Sequence, residues 1–120
     1  LMKIWKARYN YGLDIQEIIF ENIYVGNICC KNMPGQAKFS RFYELLNQKQ
    51  LMHPIILKGN QLFNGGLRLR VGIEKGYEGI DCLVLDNIDE IKKYTTIQQA
   101  DAHNYFSYDS LESIEKQHHN

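Results

Sequence analysis

Residues 53–85 read HPIILKGNQLFNGGLRLRVGIEKGYEGIDCLVL, and this stretch decides the fold. It opens with two short apolar runs, Pro54 to Leu57 and Gln61 to Phe63, which have the β-branched and aromatic character of strands. Between the runs lie Gly59 and Asn60, two residue types that tolerate a positive φ. The spacing therefore predicts a tight β-hairpin.

The same stretch continues into a glycine turn, a helix and a further strand. Asn64-Gly65-Gly66 follows the hairpin, and Leu67 to Lys75 then holds good helix formers up to Gly76, whose missing Cβ suits a left-handed helix cap. Gly72 lies within this helix, where glycine costs about 1 kcal/mol relative to alanine, so we expect it to permit the close approach of a neighbouring backbone. Ile80 to Leu85 is almost wholly apolar and is predicted to be a buried strand.

The upstream half is predicted to hold two extended segments and one helix. Alternating apolar and charged residues from Lys3 to Tyr9 predict a half-buried strand, and Gln16 to Phe20 is a second extended run. From Ala37 to Gln50 the apolar residues recur with a period near 3.6 and the charged residues lie opposite them. This segment is therefore predicted to be an amphipathic helix.

The C-terminal part is predicted to hold two short helices and an aromatic cluster. Ile88 to Tyr94 has helical character, and the capping-box spacing of Asp109 to Glu112 predicts a last helix ending near Gln117. Tyr105, Phe106 and Tyr108 stand in a polar neighbourhood. We expect these aromatic residues to dock on the core, the alternative being an exposed patch that binds a partner.

The sequence resembles the ParB-like domain of the ParB/sulfiredoxin superfamily. The most specific features are the His53-Pro54-Ile55 approach to the first hairpin strand and the Asn-Gly-Gly-x-Arg turn, which leads into a helix ending in Lys-Gly-Tyr. The resemblance implies an α/β (α+β) fold, a small mixed sheet with a β-hairpin and surrounding helices. It covers Gln16 to Asp86, so residues 1–96 are expected to form the domain and residues 97–120 a C-terminal extension with a short helix. The matching blocks are Phe39 to Leu46, Leu51 to Leu57, Asn60 to Arg68 and Gly76 to Val84.

The resemblance also implies a ligand pocket at the turn after the second hairpin strand, and the residues there suit an anion. Consecutive glycines at Gly65 and Gly66 can direct backbone N–H groups outward, the helix start adds its positive end, and Arg68 supplies a planar donor fork. Such a site is best suited to phosphate. The alternative is a plain tight turn with Arg68 paired to a surface carboxylate. In either case we expect the Arg68 side chain to lie outside the core and Leu67 to be partly buried. The candidate ligand-binding residues are Asn64, Gly65, Gly66, Arg68, Arg70 and His53.

Departures from the family pattern limit the chemistry that the resemblance implies. Sulfiredoxins carry Gly-Cys-His-Arg at this turn, with the cysteine as nucleophile, whereas this chain has Gly65-Gly66-Leu67-Arg68. Chromosome-partitioning ParB proteins carry Gly-Glu-Arg-Arg and hold CTP there, and free-standing relatives described as nucleases carry Asp-Gly-Gly-His-Arg. Because Asn64 and Leu67 replace the acid and the histidine, those two positions do not form a metal site.

Composition excludes several broad classes of function. Lys+Arg and Asp+Glu are both 14, so the formal net charge is zero and no overall field attracts nucleic acid or an anionic membrane. Arg68 with Arg70 is the only place in the sequence where a local basic patch could form. Cys29, Cys30 and Cys82 lack CxxC spacing, so we expect free buried thiols rather than disulfides or zinc ligands. No apolar run is long enough to span a bilayer, and the chain reads as intracellular.

Three functions remain, in this order. The first is a degenerate, non-catalytic ParB-like module that binds a nucleotide, CTP or ATP, or another phosphate ligand. The second is a protein interaction or assembly component, such as a phage- or mobile-element-encoded structural protein, with a protein partner or a second copy of itself. The third is an enzyme, a nuclease or nucleotide hydrolase, for which no catalytic residue can be named. The expected location is the cytoplasm of a host cell, or a virion if the chain is phage-encoded.

Overall fold

The computed structural model describes residues 1–26, 46, 50–104 and 106. Within them the chain forms five strands, two α-helices and one 3-10 turn at Phe20–Asn22. The strands are β1 (Ile4–Trp5), β2 (Gln16–Ile19), β3 (Ile55–Lys58), β4 (Gln61–Asn64) and β5 (Gly79–Val84). The helices are α1 (Gly66–Glu74) and α2 (Ile88–Ala100).

The strands form one mixed sheet with β5 as its most connected member. Strand β5 pairs in parallel with β1 and β3 and antiparallel with β2, while β4 pairs antiparallel with β3. The chain leaves β4, forms α1 and returns in β5, so α1 connects the hairpin to the middle of the sheet. The predicted fold class, a small mixed sheet with a hairpin and surrounding helices, is confirmed.

The predicted hairpin is present, and its outer edge is covered. Gly59 has a φ of 61° at the turn, the left-handed conformation that the Gly-Asn pair predicted. Beside β4, the N–H of Tyr24 donates to the carbonyl of Asn60 at 2.8 Å and the N–H of Leu62 donates to the carbonyl of Tyr24 at 2.9 Å. The backbone of Tyr24 thus satisfies groups that an edge strand would otherwise expose.

Trp5 is the centre of the larger of two core clusters. Only 2% of its surface is exposed. The Tyr77 ring stacks on Trp5 at 5.5 Å, and the Phe106 ring meets Trp5 edge-on at 5.8 Å. Docking of the aromatic cluster on the core is therefore confirmed for Phe106, whereas Tyr105 and Tyr108 lie outside the described residues.

Gly72 allows side chains rather than a backbone to approach α1. A Cβ at this position would lie 3.0 Å from the Phe20 ring and 3.1 Å from the Trp5 ring. The predicted close approach is present, but the predicted backbone neighbour was wrong. The reason is that the aromatic residues of β1 and of the 3-10 turn pack directly onto α1.

Helix α2 is longer than its sequence pattern predicted, ending at Ala100 rather than at Tyr94. Its buried face changes from apolar to polar along the helix, through Ile91, Thr95 and Gln98. An apolar period cannot detect the last two turns, because their buried positions carry a hydroxyl and an amide. The domain boundary expected after residue 96 falls inside this helix.

The first strand is shorter than predicted. Regular pairing is limited to Ile4–Trp5, followed by a single parallel bridge between Ala7 and Leu51. The carboxylate of Asp81 in β5 accepts a hydrogen bond from the Ala7 N–H at 2.8 Å, and this side chain holds the chain in place beyond β1.

Several predicted features lie outside the described residues. They are the amphipathic helix of residues 37–50 apart from Leu46 and Gln50, the thiols Cys29 and Cys30, and the last helix near Asp109. Across the described ranges, no helix combines the length and the apolar character that crossing a membrane requires.

Candidate functional site

The turn between β4 and α1 requires glycine at its first position. Gly65 has a φ of 125°, and a Cβ built on it would lie 2.4 Å from Cγ2 of Ile55, well inside van der Waals contact. Gly66 is the first residue of α1 and is partly exposed. The N-cap residue of this helix, Gly65, has no side chain that could cap it, and the first turn of the helix contains no acidic residue. The helix start is therefore positive in character and uncompensated within its own turn.

Arg68 lies inside the molecule, contrary to the prediction that its side chain is outside the core. It is fully buried, and its Nη1 donates to the carbonyl oxygen of His53 at 3.1 Å and to that of Pro54 at 2.8 Å. These two carbonyls belong to the approach to β3, where the backbone has not yet joined the sheet. The guanidinium lies directly behind the glycine turn, because a Cβ on Gly65 would be 3.3 Å from Nη2 of Arg68.

Arg70 does not share a surface with Arg68. It is exposed on the outer face of α1, where its Nε lies 3.6 Å from Oε1 of Glu74 one turn later. Residues two apart on a helix point in different directions, so Arg68 and Arg70 do not form the local basic patch for which the Arg-x-Arg spacing left room.

Asn64 is buried at the end of β4. Only 3% of it is exposed, and its Nδ2 donates to Oε1 of Gln98 at 3.3 Å. Its Oδ1 is buried and has no hydrogen-bond partner among the described residues. The amide thus connects the glycine turn to the last turn of α2.

His53 is held at both ring nitrogens. Its Nδ1 lies 2.7 Å from the Tyr11 hydroxyl and its Nε2 lies 2.7 Å from Oδ2 of Asp101. Gln98 closes the network, since its Nε2 donates to the Tyr11 oxygen and to the Pro54 carbonyl, both at 2.9 Å. The predicted location of His53, at the start of a strand near the glycine turn, is correct.

Sequence reasoning missed Tyr11, Gln98 and Asp101. They lie 42, 45 and 48 positions from His53 in the chain, and no local motif links residues so far apart. One signal was available, because Ile91, Thr95 and Gln98 follow one another at helical spacing. Following that face past its first polar residue would have placed Gln98 toward the core.

Burial sets the resting protonation of this network. It raises the pKa of Tyr11 to about 12 and lowers the pKa of His53, so the phenol is protonated and the imidazole neutral at pH 7. The N–H of His103, and then the His53 ring, lower the pKa of Asp101, which is a carboxylate. Burial also raises the pKa of the Cys82 thiol to about 12.

These protonation states suit side chains that hold the structure together better than side chains that catalyse a reaction. A phenol or thiol nucleophile needs a lowered pKa, and both are raised here. The two nitrogens of His53 are occupied by Tyr11 and Asp101, which leaves neither for a substrate proton in this conformation. In the described part of the chain, no group of three or more His, Cys, Asp or Glu side chains is arranged to hold a metal ion.

No protein-family model matches this chain, and no curated protein matches it either. Among solved structures, it is similar to a Pnob8-like ParB-N domain with 15% identity and a TM-score of 0.48, over 72% of this chain and 34% of that one. It is also similar to sulfiredoxin from Arabidopsis thaliana with 21% identity and a TM-score of 0.49, over 68% of this chain and 96% of that one.

The likeness concerns the fold alone. Both structures share a low identity with this chain. The chain spans about a third of the chain that contains the ParB-N domain.

Proposed function

We propose that this domain is a non-catalytic binding module that takes a phosphate-bearing ligand, a nucleotide such as CTP or ATP, at the start of α1. The observation that carries the proposal is the glycine turn at Gly65 and Gly66, which leads into a helix whose first turn contains no acidic residue. The missing glycine side chains leave room for an anion to approach the N–H of Gly66 at the positive end of the helix.

Arg68 supports the same ligand from behind the turn. Its guanidinium adds a full positive charge beneath Gly65 while its Nη1 holds the carbonyls of His53 and Pro54. In this arrangement the arginine fixes the shape of the turn and raises its potential, and the ligand is held by backbone N–H groups. Arg68 is therefore proposed to act through its charge and by holding the turn in shape, and not by donating hydrogen bonds directly to the ligand.

The non-catalytic part of the proposal rests on the side chains around the turn. Gly66 and Leu67 stand where sulfiredoxins carry cysteine and histidine, and Asn64 stands where the nuclease-type relatives carry an acid. The nearby ionisable groups, Tyr11 and His53, are neutral and engaged with each other. They can hold a ligand-binding turn in place but do not offer a nucleophile.

An NMR titration of the full chain tests the site. With CTP, ATP or inorganic phosphate added to millimolar concentration, we expect the backbone amides of Gly66 and Leu67 to shift with a saturable curve. Gly59, at the tip of the hairpin, serves as an internal control that does not move. If no compound moves the α1 amides at millimolar concentration, the anion site is wrong and the interaction or assembly function becomes the better proposal.

A pair of variants separates binding at the helix start from general charge effects. Gly66 does not need a positive φ, so Gly66→Asp places a carboxylate in the first turn of α1, where it competes with an anion. Ile73→Asp adds the same charge at the other end of α1, on a residue that is 47% exposed. We expect Gly66→Asp to weaken phosphate or nucleotide binding by about tenfold or more, equivalent to 1.4 kcal/mol, and Ile73→Asp to change it little.

A further inference from the structure

The hydrogen-bonded chain Tyr11–His53–Asp101, named the clasp below, joins three segments that lie far apart in the sequence. Tyr11 precedes β2, His53 precedes β3 and Asp101 follows α2. Both contacts of the imidazole are 2.7 Å long, and the histidine is only 3% exposed. The clasp is therefore a short, partly buried tether between the N-terminal segment and the C-terminal end of α2.

The direction of the hydrogen bonds selects the neutral imidazole. Gln98 donates its amide N–H to the Tyr11 oxygen, which leaves the Tyr11 proton to be donated to Nδ1 of His53. At the other nitrogen, Nε2–H donates to the Asp101 carboxylate. With a neutral imidazole, every hydrogen-bond donor of the clasp then faces an acceptor.

Protonation of His53 breaks this pairing of donors with acceptors. A second ring N–H would face the Tyr11 hydroxyl, which would have to turn its proton away while it still accepts from Gln98. The added charge would also lie near the Arg68 guanidinium, which binds the carbonyl of His53 itself. Asp101 opposes this cost, but it is shared with the exposed imidazole of His103, whose Nδ1 lies 3.4 Å from Oδ1.

Among the described residues, two further aromatic rings, those of Tyr9 and Tyr94, lie beside the clasp. The Tyr9 ring lies 5.2 Å from the His53 ring, and the Tyr94 ring lies 5.1 Å from that of Tyr11. Burial lowers the pKa of His53, with Arg68 acting in the same direction and Asp101 in the opposite one. Burial, the charge of Arg68 and the hydrogen bond from Tyr11 therefore disfavour a protonated His53 in the closed clasp, and they outweigh the opposing hydrogen bond to Asp101.

We propose that the clasp is an acid-sensitive latch: protonation of His53 separates the C-terminal end of α2 from the Tyr11 segment, breaking the Gln98–Tyr11 hydrogen bond together with the clasp, while the sheet stays folded. The residues after the helix follow, because Asn104 Nδ2 donates to the Gln98 carbonyl at 2.8 Å and the Phe106 N–H donates to Asn104 at 3.2 Å. Opening thus loosens Phe106, the edge-on neighbour of Trp5. This latch does not depend on whether an anion binds at α1.

Amide hydrogen exchange of the full chain at pH 7.5 and 5.0 tests the latch. After correction for the intrinsic rate, we expect the protection of Leu13, Asp101 and Asn104 to fall at least tenfold at pH 5.0. The N–H groups of these three residues are bonded within the Tyr11 segment and the segment after α2. Leu57 and Leu83, in the centre of the sheet, should keep their protection. Equal protection at both pH values, or an equal loss at all five positions, overturns the proposal.

Two variants assign the effect to His53. His53→Gln removes the titrating ring and should abolish most of the difference between the two pH values, whereas His103→Gln, at an exposed site, should retain it. If His53→Gln does not fold, NMR titration of the wild-type His53 ring decides the matter. An apparent pKa below the ordinary 6.5 supports the latch, and one at or above 6.5 overturns it.

Discussion

At the scale of single residues, the most informative side chain is Arg68. Its sequence neighbours, two glycines and a helix start, suggest a surface donor waiting for an anion. Its environment is instead the interior, where it satisfies two carbonyls just before β3. A buried charge is tolerated only while its hydrogen-bond partners remain, and the buried carbonyls in turn need a donor. The Arg68 side chain and the backbone just before β3 therefore depend on each other.

Replacing Arg68 should therefore destabilise the fold. We expect Arg68→Ala to lower the free energy of unfolding by about 3 kcal/mol, because it takes away the Arg68 donor to the His53 carbonyl, one of the two donors to the Pro54 carbonyl, and a fully buried side chain. Arg70→Ala, on the same helix but half exposed, should stay within about 0.5 kcal/mol of the wild type. Urea denaturation measures both. Equal midpoints for the two variants would show that the Arg68 contacts contribute nothing.

At the scale of elements, α2 shows how a helix with a weak apolar pattern is nevertheless well defined. Its start is set by Asn87, whose side-chain oxygen accepts from the N–H groups of Asp89 at 2.8 Å and Glu90 at 3.2 Å. Its first turn carries two acidic residues, which suit the positive end of a helix. Its end is set by Gln98 and Asp101 through the polar network, so each terminus is fixed by side-chain hydrogen bonds.

The N-cap of α2 gives a prediction for this element. Asn87→Ala should lower the free energy of unfolding by about 1 kcal/mol, because the N–H groups of Asp89 and Glu90 lose their acceptor. Lys93→Ala, at an exposed position within the same helix, is the matched control and should cost less than about 0.5 kcal/mol. Thermal unfolding followed by circular dichroism distinguishes the two. A larger effect at Lys93 would mean that the helix start is fixed by other contacts.

At the scale of the whole molecule, two core clusters and one buried polar network hold the sheet and helices together. The polar network lies where the approach to β3, the end of β4 and the end of α2 meet, and it contains Tyr11 and His53, whose pKa values are shifted by burial. Stability of the whole domain should therefore depend on pH at both extremes, since folding changes proton affinities in the interior.

On the alkaline side, stability should fall as the pH rises from about 9 to about 12. Folding raises the pKa of Cys82 from 9.0, and that of Tyr11 from 10.0, to about 12. As the pH rises, the unfolded chain therefore loses these protons before the folded chain does. Proton binding by the two groups stabilises the fold fully below their unfolded pKa values, and this contribution is lost as the pH rises toward their folded pKa values. Urea denaturation at pH 8 to 11 measures the slope.

Cys82→Ala should flatten this slope, because alanine at position 82 does not titrate, even though its stability at pH 8 is lower. A variant whose slope matches that of the wild type would show that the thiol does not contribute.

The local patterns of the stretch from His53 to Leu85 determined much of the fold. The Gly-Asn turn, the glycine pair and the apolar run of β5 each depend on conformational preferences of neighbouring residues, so the hairpin, α1 and β5 could be predicted within one or two positions. The need for glycine at Gly65 has the same origin, because its φ of 125° is a local property of the turn.

Only the tertiary structure decided which way Arg68 faces, where α2 ends and what His53 binds. Each of these outcomes depends on groups brought together from 14 to 48 positions away, such as Pro54 for Arg68 and Asp101 for His53. A buried polar residue is placed by the partners that satisfy it, and those partners follow no fixed spacing along the chain. The sequence therefore determined the elements and the glycine turn, and the packing of distant polar side chains determined how that turn is held.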